Sequence, residues 1–385
     1  MSVAKLITQN FRNLDSSSID FHPQLNFIIG DNGSGKSSLL EALFFLGHGK
    51  SFRTTKVDSL ACHETNSFVV SVRDSNNRQL GLSRDTNSGL TNIKIDGQRH
   101  NRLSVLAKNI AIQIVTPESF KLFFGGPRER RRFIDLGMFH VKHDFSALWK
   151  NFNRVLKQRN ASIRLNERLY NNTEDSMLDY WTGQFCQLST EVSEQRASYV
   201  AEIISELDSW LAILLPNLLE RVTVQYLQGW PQKSTLIDVL NSYHEKELKF
   251  GYSLYGAHKF DVKFLLDKKS IETQLSRGQQ KLFLLALTFA QANFISRVKL
   301  VKPILLIDDI GAELDINSRT ALFNAIDKLD CQVIITAIES NALKPFLGPC
   351  DDRNYSMFHV KHGKVLEKYP DDSECNKSEK AMNVE

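Results

Sequence analysis

The chain has 385 residues, 42% of them hydrophobic and 24% charged, with a net charge of +4. At about 150 residues per domain this length makes two or three domains with ample core, and it excludes disordered, collagen-like and disulfide-stapled classes. Cys62, Cys186, Cys331, Cys350 and Cys375 stand apart with no CxxC pair, which speaks for reduced thiols and against a cysteine zinc ribbon. No apolar run approaches the roughly 18 residues of a membrane span. The start MSVAKLITQNFRN is too polar for a secretory leader, so the expectation is a cytoplasmic protein with no membrane partner.

In chain order, short strands come first: Val3 to Ile7, Leu25 to Ile29, Phe68 to Val72, and a polar hairpin near Ile93 to Gln98. A helix from about Gly35 to Leu46 interrupts them, with Leu39, Leu40, Leu43 and Phe44 on one face. From Glu118 to Lys249 long helical patterns take over. Val192, Ala197, Val200, Ile204, Leu207 and Leu211 form a stripe that Pro216 ends. A short strand, Val222 to Leu227, and a helix through Leu236, Val239, Leu240 and Tyr243 follow. Strands return with Asp261 to Leu266, then a helix after Ser276, a strand Ile304 to Ile307, a helix through Ala321, Leu322, Ala325 and Ile326, and a strand Val333 to Thr336. Apolar strand, helix, apolar strand is the pattern of a parallel unit covered on both faces. The reading is an α/β ATPase domain built from both chain ends (residues 1–115 and 256–366), with an inserted, mainly helical lobe (116–255). Residues 367–385 read as a disordered, acid-rich tail.

The strongest local signal is Gly30-Asp31-Asn32-Gly33-Ser34-Gly35-Lys36-Ser37, a complete GxxxxGK[ST] with Ser38 behind it, placed between an apolar strand and a helix. Glycines let successive backbone N–H groups turn inward onto phosphate oxygens, and the helix N-terminus adds partial positive charge. Lys36 would reach the β- and γ-phosphates of ATP, and the Ser37 hydroxyl would ligate Mg²⁺. A second signal is the run Ile304 to Ile307 ending in Asp308-Asp309. Asp308 is the expected second Mg²⁺ partner, and Asp309 is placed to orient or deprotonate the attacking water. The third is Leu275-Ser276-Arg277-Gly278-Gln279-Gln280-Lys281. A glycine inside a first helical turn opposes helix propensity, unless something must approach the backbone there.

These three segments together resemble the ATP-binding-cassette (ABC) ATPases, in their SMC-like repair branch. Phe11-Arg12-Asn13, Gly49 to Arg53, Pro117-Glu118, Gly125 to Asp135, Leu156 to Asn160 and Ala312-Glu313-Leu314-Asp315 narrow the resemblance to the RecF family over residues 3–366. Phe123, Phe124 and Ile338 depart from the family pattern, away from the nucleotide residues. The resemblance implies an ATP-dependent homodimer in which Ser276, Arg277, Gly278, Gln279 and Gln280 face the γ-phosphate held by the other copy. Asp315 would then lie at the subunit boundary. It also implies a slow, DNA-stimulated ATPase that binds gapped DNA, acts with RecO and RecR to place RecA, serves the SOS response, and is released by hydrolysis. One chain shows Lys36 but no evident arginine finger, which also points to groups supplied from a second copy.

For DNA, Arg128, Arg130, Arg131 and Arg132 form the densest basic run, and Lys157, Arg159 and Arg164 extend it. Such a surface would neutralise phosphates without reading bases. The same residues equally suit a helical face with internal salt bridges to Glu118, Glu129 or Asp135. Lys50 and Arg53 suit either nucleotide or DNA. Alternatives in the same class are a transporter-associated ATPase or a long-armed SMC-like chromosome protein. The insert argues against the first and is too short for the arms of the second. An exact repeat, MFHVKH at Met138 to His143 and Met357 to His362, falls once in a helical and once in a strand-like context.

Overall fold

The computed structural model describes residues 2–142, 144–169, 176–299, 302–310, 314–339, 343 and 355–367. Two compact units are formed, residues 1–119 with 277–385, and residues 120–276.

The first unit opens with β1 (Val3–Gln9), β2 (Ser17–Asp20), β3 (Leu25–Ile29), α1 (Lys36–His48), β4 (Ser67–Asp74), β5 (Gln79–Asp85), β6 (Thr91–Ile95), β7 (Gln98–His100), α2 (Ser104–Asn109) and β8 (Ile112–Val115). The second unit holds α3 (Lys121–Phe124), α4 (Pro127–Val141), α5 (Phe145–Leu169), α6 (Ser176–Leu214), β9 (Val222–Leu227), α7 (Leu236–Ser242), α8 (His244–Phe250), β10 (Asp261–Leu266) and β11 (Lys269–Ser270). The chain then returns to the first unit with α9 (Arg277–Lys299), β12 (Ile304–Ile307), α10 (Ile316–Asp327), β13 (Gln332–Ala337), β14 (Tyr355–Lys361) and β15 (Lys364–Glu367).

The first unit contains two sheets. One is antiparallel, in the order β2-β1-β4-β5-β6-β7; the other runs β15-β14-β3-β13-β12-β8. In the second sheet β14, β3, β13, β12 and β8 are all parallel, and β3, β12 and β13 are buried at every position. Continuous Val/Ile/Leu runs therefore mark strands covered on both faces. The β12–α10–β13 crossover pairs Ile304 with Gln332 and Ile307 with Ile335 in parallel register. Helix α1 is buried on all sides, Ala42, Phe45 and Leu46 included, because residues of both sheets pack around it. The single apolar face expected from its sequence is too narrow for that position.

In the second unit α5 and α6 are the long helices, and α6 ends just before Pro216. Its sheet, β11-β10-β9, is antiparallel, with Asp261 opposite Leu227 and Leu266 opposite Val222. This pairing corrects the boundary drawn at 255/256. The strand after Gly256 pairs antiparallel with β9 inside the inserted unit, and the return to the first unit comes at 276/277. Of residues 367–385, read as a tail, Glu367 instead ends β15, and 368–385 lie outside the described residues. The two MFHVKH copies fall in α4 and β14, one helix and one strand, so local sequence alone does not decide their conformation; His143 is outside the described residues.

Candidate nucleotide site and the arginines of the inserted unit

The first unit places its chemistry at the carboxyl ends of parallel strands, where helix N-termini and strand-end loops converge. The loop after β3 curls with φ of +151° at Gly30, +77° at Gly33 and +120° at Gly35. A Cβ on Gly30 would lie 2.3 Å from the Val360 carbonyl oxygen, so glycine is required there. Lys36 opens α1 and is buried, its Nζ donating to the Gly30 carbonyl at 2.6 Å and the Asp31 carbonyl at 2.9 Å. Burial lowers its pKa, against the attraction of Asp308, Asp309 and Asp31.

Ser37 Oγ donates to both oxygens of Asp308, at 3.2 and 3.1 Å. The hydroxyl and the carboxylate, 271 residues apart in sequence, thus converge as a pair of hard oxygen donors, which suits a magnesium ion. Thr336, at the end of β13 between the two motif strands, donates to Asp308 Oδ1 at 2.7 Å and accepts from the Asp309 N–H at 2.9 Å. Burial raises the Asp308 pKa, while the Thr336 and Ser37 hydroxyls pull it down. Asp309 sits in the left-handed region at φ +52°, a conformation that an aspartate tolerates at a cost. Its backbone is held from two sides, by Thr336 and by Lys281 Nζ, which donates to the Asp309 carbonyl at 2.8 Å.

Lys36, Ser37, Asp308, Asp309 and Thr336 line a cavity of about 490 Å³ together with Arg12, Asn13, Asn32, Gly33, Gly35, Ser38, Arg53, Pro117 and Ile338. Asn13 braces the loop, accepting from Ser38 Oγ at 2.7 Å and donating to the Gly33 carbonyl at 3.1 Å. Glu41, a fully buried carboxylate of α1, accepts a bidentate pair from Arg12 at 2.9 and 2.8 Å and a bond from Ser51 Oγ. Arg53 stands 3.9 Å from the same carboxylate. Of the two residues left open between nucleotide and DNA, Arg53 falls at the nucleotide cavity. Arg12 and Arg53 both line it, and Arg53 also lowers the Asp308 pKa.

Of the segment expected to face a second copy, Ser276, Arg277 and Gln279 are exposed, Gly278 is half-buried and Gln280 is buried. Asp315 caps α10, accepting from the Ser318 N–H at 2.7 Å, and hydrogen bonds from the Ser318 hydroxyl and then its N–H lower the Asp315 pKa. Gly311, Ala312 and Glu313 lie outside the described residues.

The expected DNA arginines divide sharply. Arg130 forms a bidentate pair with Asp261 at 2.8 and 3.0 Å and reaches Glu272 at 3.3 Å. Arg131 donates to the Phe260 carbonyl at 2.9 Å. Arg159 is 2% exposed, pairs with Glu247 at 2.6 Å and donates to Thr182 and Ser253. These three are corrected from DNA-contact candidates to internal ones, because each is neutralised or hydrogen-bonded within the unit. Arg128, Arg132 and Lys157 are exposed. Asp135, a suggested partner for the basic run, instead accepts a bidentate pair from Arg196, whose guanidinium also lies 3.8 Å from the centre of the Phe260 ring.

Fold and site define a P-loop ATPase of the SMC-like, ATP-binding-cassette class. The family model described as "RecF/RecN/SMC N terminal domain" matches residues 2–365. A DNA replication and repair protein RecF from Colwellia psychrerythraea is 67% identical over 374 residues, covering 95% of this chain and 98% of that relative. One from Haemophilus influenzae is 35% identical, covering 94% and 98%. Among solved structures, that of the recombination mediator protein RecF with ATP superimposes with a TM-score of 0.81 at 22% identity, covering 96% of this chain and 98% of that one. An SMC head bound to a ScpA domain gives 0.57 at 16% identity, covering 97% and 99%. The chain belongs to the RecF family of DNA replication and repair proteins.

Proposed function

We propose that this chain is an ATP-dependent DNA clamp of replication and recombinational repair, a slow ATPase stimulated by DNA. The observation that carries the reading is the meeting of Lys36, Ser37, Asp308 and Asp309 in one cavity, in a chain of the RecF family. Lys36 and the P-loop N–H groups bind the triphosphate of ATP. Ser37 and Asp308 hold Mg²⁺, which supplies charge neutralisation at the transferring phosphoryl group. Asp309, fixed by Thr336 and Lys281, orients the attacking water.

Ser276, Arg277 and Gln279 are exposed where α9 begins, which suits completion of a partner copy's pocket. Two copies would close around two ATP molecules, with Asp315 at their boundary, and hydrolysis would release them. The printed description of the ATP-bound neighbour sets that protein in the RecFOR pathway. By that analogy RecR and RecO are partners here, RecA is delivered to gapped DNA, and the chain acts in the cytoplasm during the SOS response. Among the described residues no helix is long and apolar enough to cross a membrane.

Light scattering with ATP and magnesium tests the core of this reading. Wild type should dimerise; Ser276→Arg should bind ATP yet remain monomeric; Asp309→Asn should dimerise while hydrolysis falls roughly a hundredfold. A chain that stays monomeric at saturating ATP and magnesium, with DNA present, sinks the clamp.

A further inference from the structure

The basic run at Arg128–Arg132 draws attention in the sequence, but a longer row of exposed cations in the inserted unit lies on α5. Lys150, Arg154, Lys157 and Arg164 are exposed, and their spacing sets them on one helical face. At 1.5 Å per residue they span about 21 Å. Among the described residues none of the four is paired with a carboxylate; Arg154 donates to Asn151 Oδ1 at 2.9 Å and Arg164 to the Gly251 carbonyl at 3.5 Å.

The Arg164 bond leads to a second feature. Gly251 closes α8 in the left-handed region, at φ +73°, and the flanking rings of Phe250 and Tyr252 remain 56% and 41% exposed. Their centroids are 6.0 Å apart at 44°, and Lys259 Nζ lies 5.5 Å from the centre of the Tyr252 ring. Lys249 is exposed beside them. The turn is anchored from beneath: Glu247 takes Arg159 and the Leu254 N–H, each at 2.6 Å, and Asn160 Oδ1 accepts from the Ser253 N–H and hydroxyl at 2.8 and 2.7 Å. A buried ion pair is costly to desolvate. Here it fixes a turn whose outward side is two water-exposed rings among cations.

We propose that this face is a binding site for single-stranded DNA. The α5 cations neutralise successive backbone phosphates, and Phe250 and Tyr252 stack on bases free of pairing. Charge alone does not distinguish single strand from duplex, but aromatic rings do, because a duplex keeps its base faces stacked inside. The inference rests on the DNA reading above and adds the strand form and the surface.

The test is fluorescence anisotropy of the full chain, with ATP and magnesium, against an oligothymidine and a blunt duplex of equal length across a salt series. Phe250→Ala with Tyr252→Ala should weaken oligothymidine binding about tenfold or more, leaving duplex affinity and salt slope unchanged. Phe250→Trp should retain the affinity. Arg154→Gln with Lys157→Gln should weaken both ligands and flatten the salt slope. Wild-type-like oligothymidine binding by the double alanine variant overturns the site. So does a wild type that binds duplex alone, which leaves the DNA reading standing. A wild type that binds neither ligand takes the DNA reading down as well.

Discussion

Arginine does opposite work in the two units. In the first, Arg12 and Arg53 stand beside one buried carboxylate, Glu41, and both line the cavity that holds Lys36, Ser37 and Asp308. In the second, Arg159 and Arg196 are consumed internally, each satisfied by a carboxylate, by neighbouring polar groups and by an aromatic face. Charge density along a chain therefore does not locate a ligand surface. What separates the two sets is where the paired guanidinium stands, on a cavity wall for Arg12 and Arg53 and inside the unit for Arg159 and Arg196.

The largest effect should come from breaking an internal arginine. Arg196→Ala removes a side chain with no exposure and leaves Asp135 buried without its partner, while also freeing the Ala257 carbonyl that accepts at 2.6 Å. A loss of roughly 3–5 kcal/mol is expected. Trp149, Trp181, Trp210 and Trp230 all lie in the second unit, so tryptophan fluorescence in urea reads that unit alone. Replacing the pair together, Arg196→Met with Asp135→Leu, should restore most of the loss, because an apolar pair avoids desolvation. If Arg196→Ala unfolds at the wild-type midpoint, the guanidinium is not the internal strut described.

A buried histidine sharpens the same contrast through pH. His258 packs against the rings of Phe152 and Phe185, and burial pushes its pKa down to about 4. Unfolded, the imidazole takes its proton near 6.5; folded, it refuses it until about 4. Between those values the unfolded chain binds more protons, so stability falls as pH falls, reaching roughly 3 kcal/mol of loss near the lower limit. Tryptophan-monitored urea midpoints at pH 7.5 and 5.0 should therefore converge in His258→Gln. Equal pH dependence in that variant and wild type would assign the slope to other groups.

How much of this is legible in the sequence follows from how local each feature is. The P-loop is eight consecutive residues between a strand and a helix, and Asp308-Asp309 ends a run whose apolar character announces burial, so both can be read from the chain itself. Thr336, Glu41 and Lys281 cannot. A threonine at a strand end has no signature until β13 is found between β3 and β12. Glu41 looks like a solvent-facing residue of an amphipathic helix, and only the covering of α1 on all sides turns it into an anchor. In the inserted unit the long helices and β9 follow their patterns, whereas the partner of Arg130 lies 131 residues away on β10. Pairing over such distances leaves no periodic trace, which is why the ion-pair partners read as Glu118, Glu129 or Asp135 turn out to include Asp261 and Glu272 for Arg130.

The smallest effect tests whether polar contacts in the first unit act on chemistry as those in the second act on stability. Thr336→Val keeps the shape of the side chain but removes the donor to Asp308 and the acceptor for the Asp309 N–H. Partners that orient a metal ligand typically matter by about tenfold to a hundredfold in affinity or rate. Here the lower end is expected, because Ser37 still holds Asp308. The effect should appear as a higher magnesium requirement for hydrolysis and a reduced rate at saturation, with tryptophan-monitored stability of the second unit unchanged. Thr336→Ser retains the hydroxyl and should recover most of the rate. If Thr336→Val hydrolyses ATP as wild type does across a magnesium titration, Asp308 and Asp309 need no orienting from β13. The two units would then differ only in where their charges sit, not in what their hydrogen bonds are for.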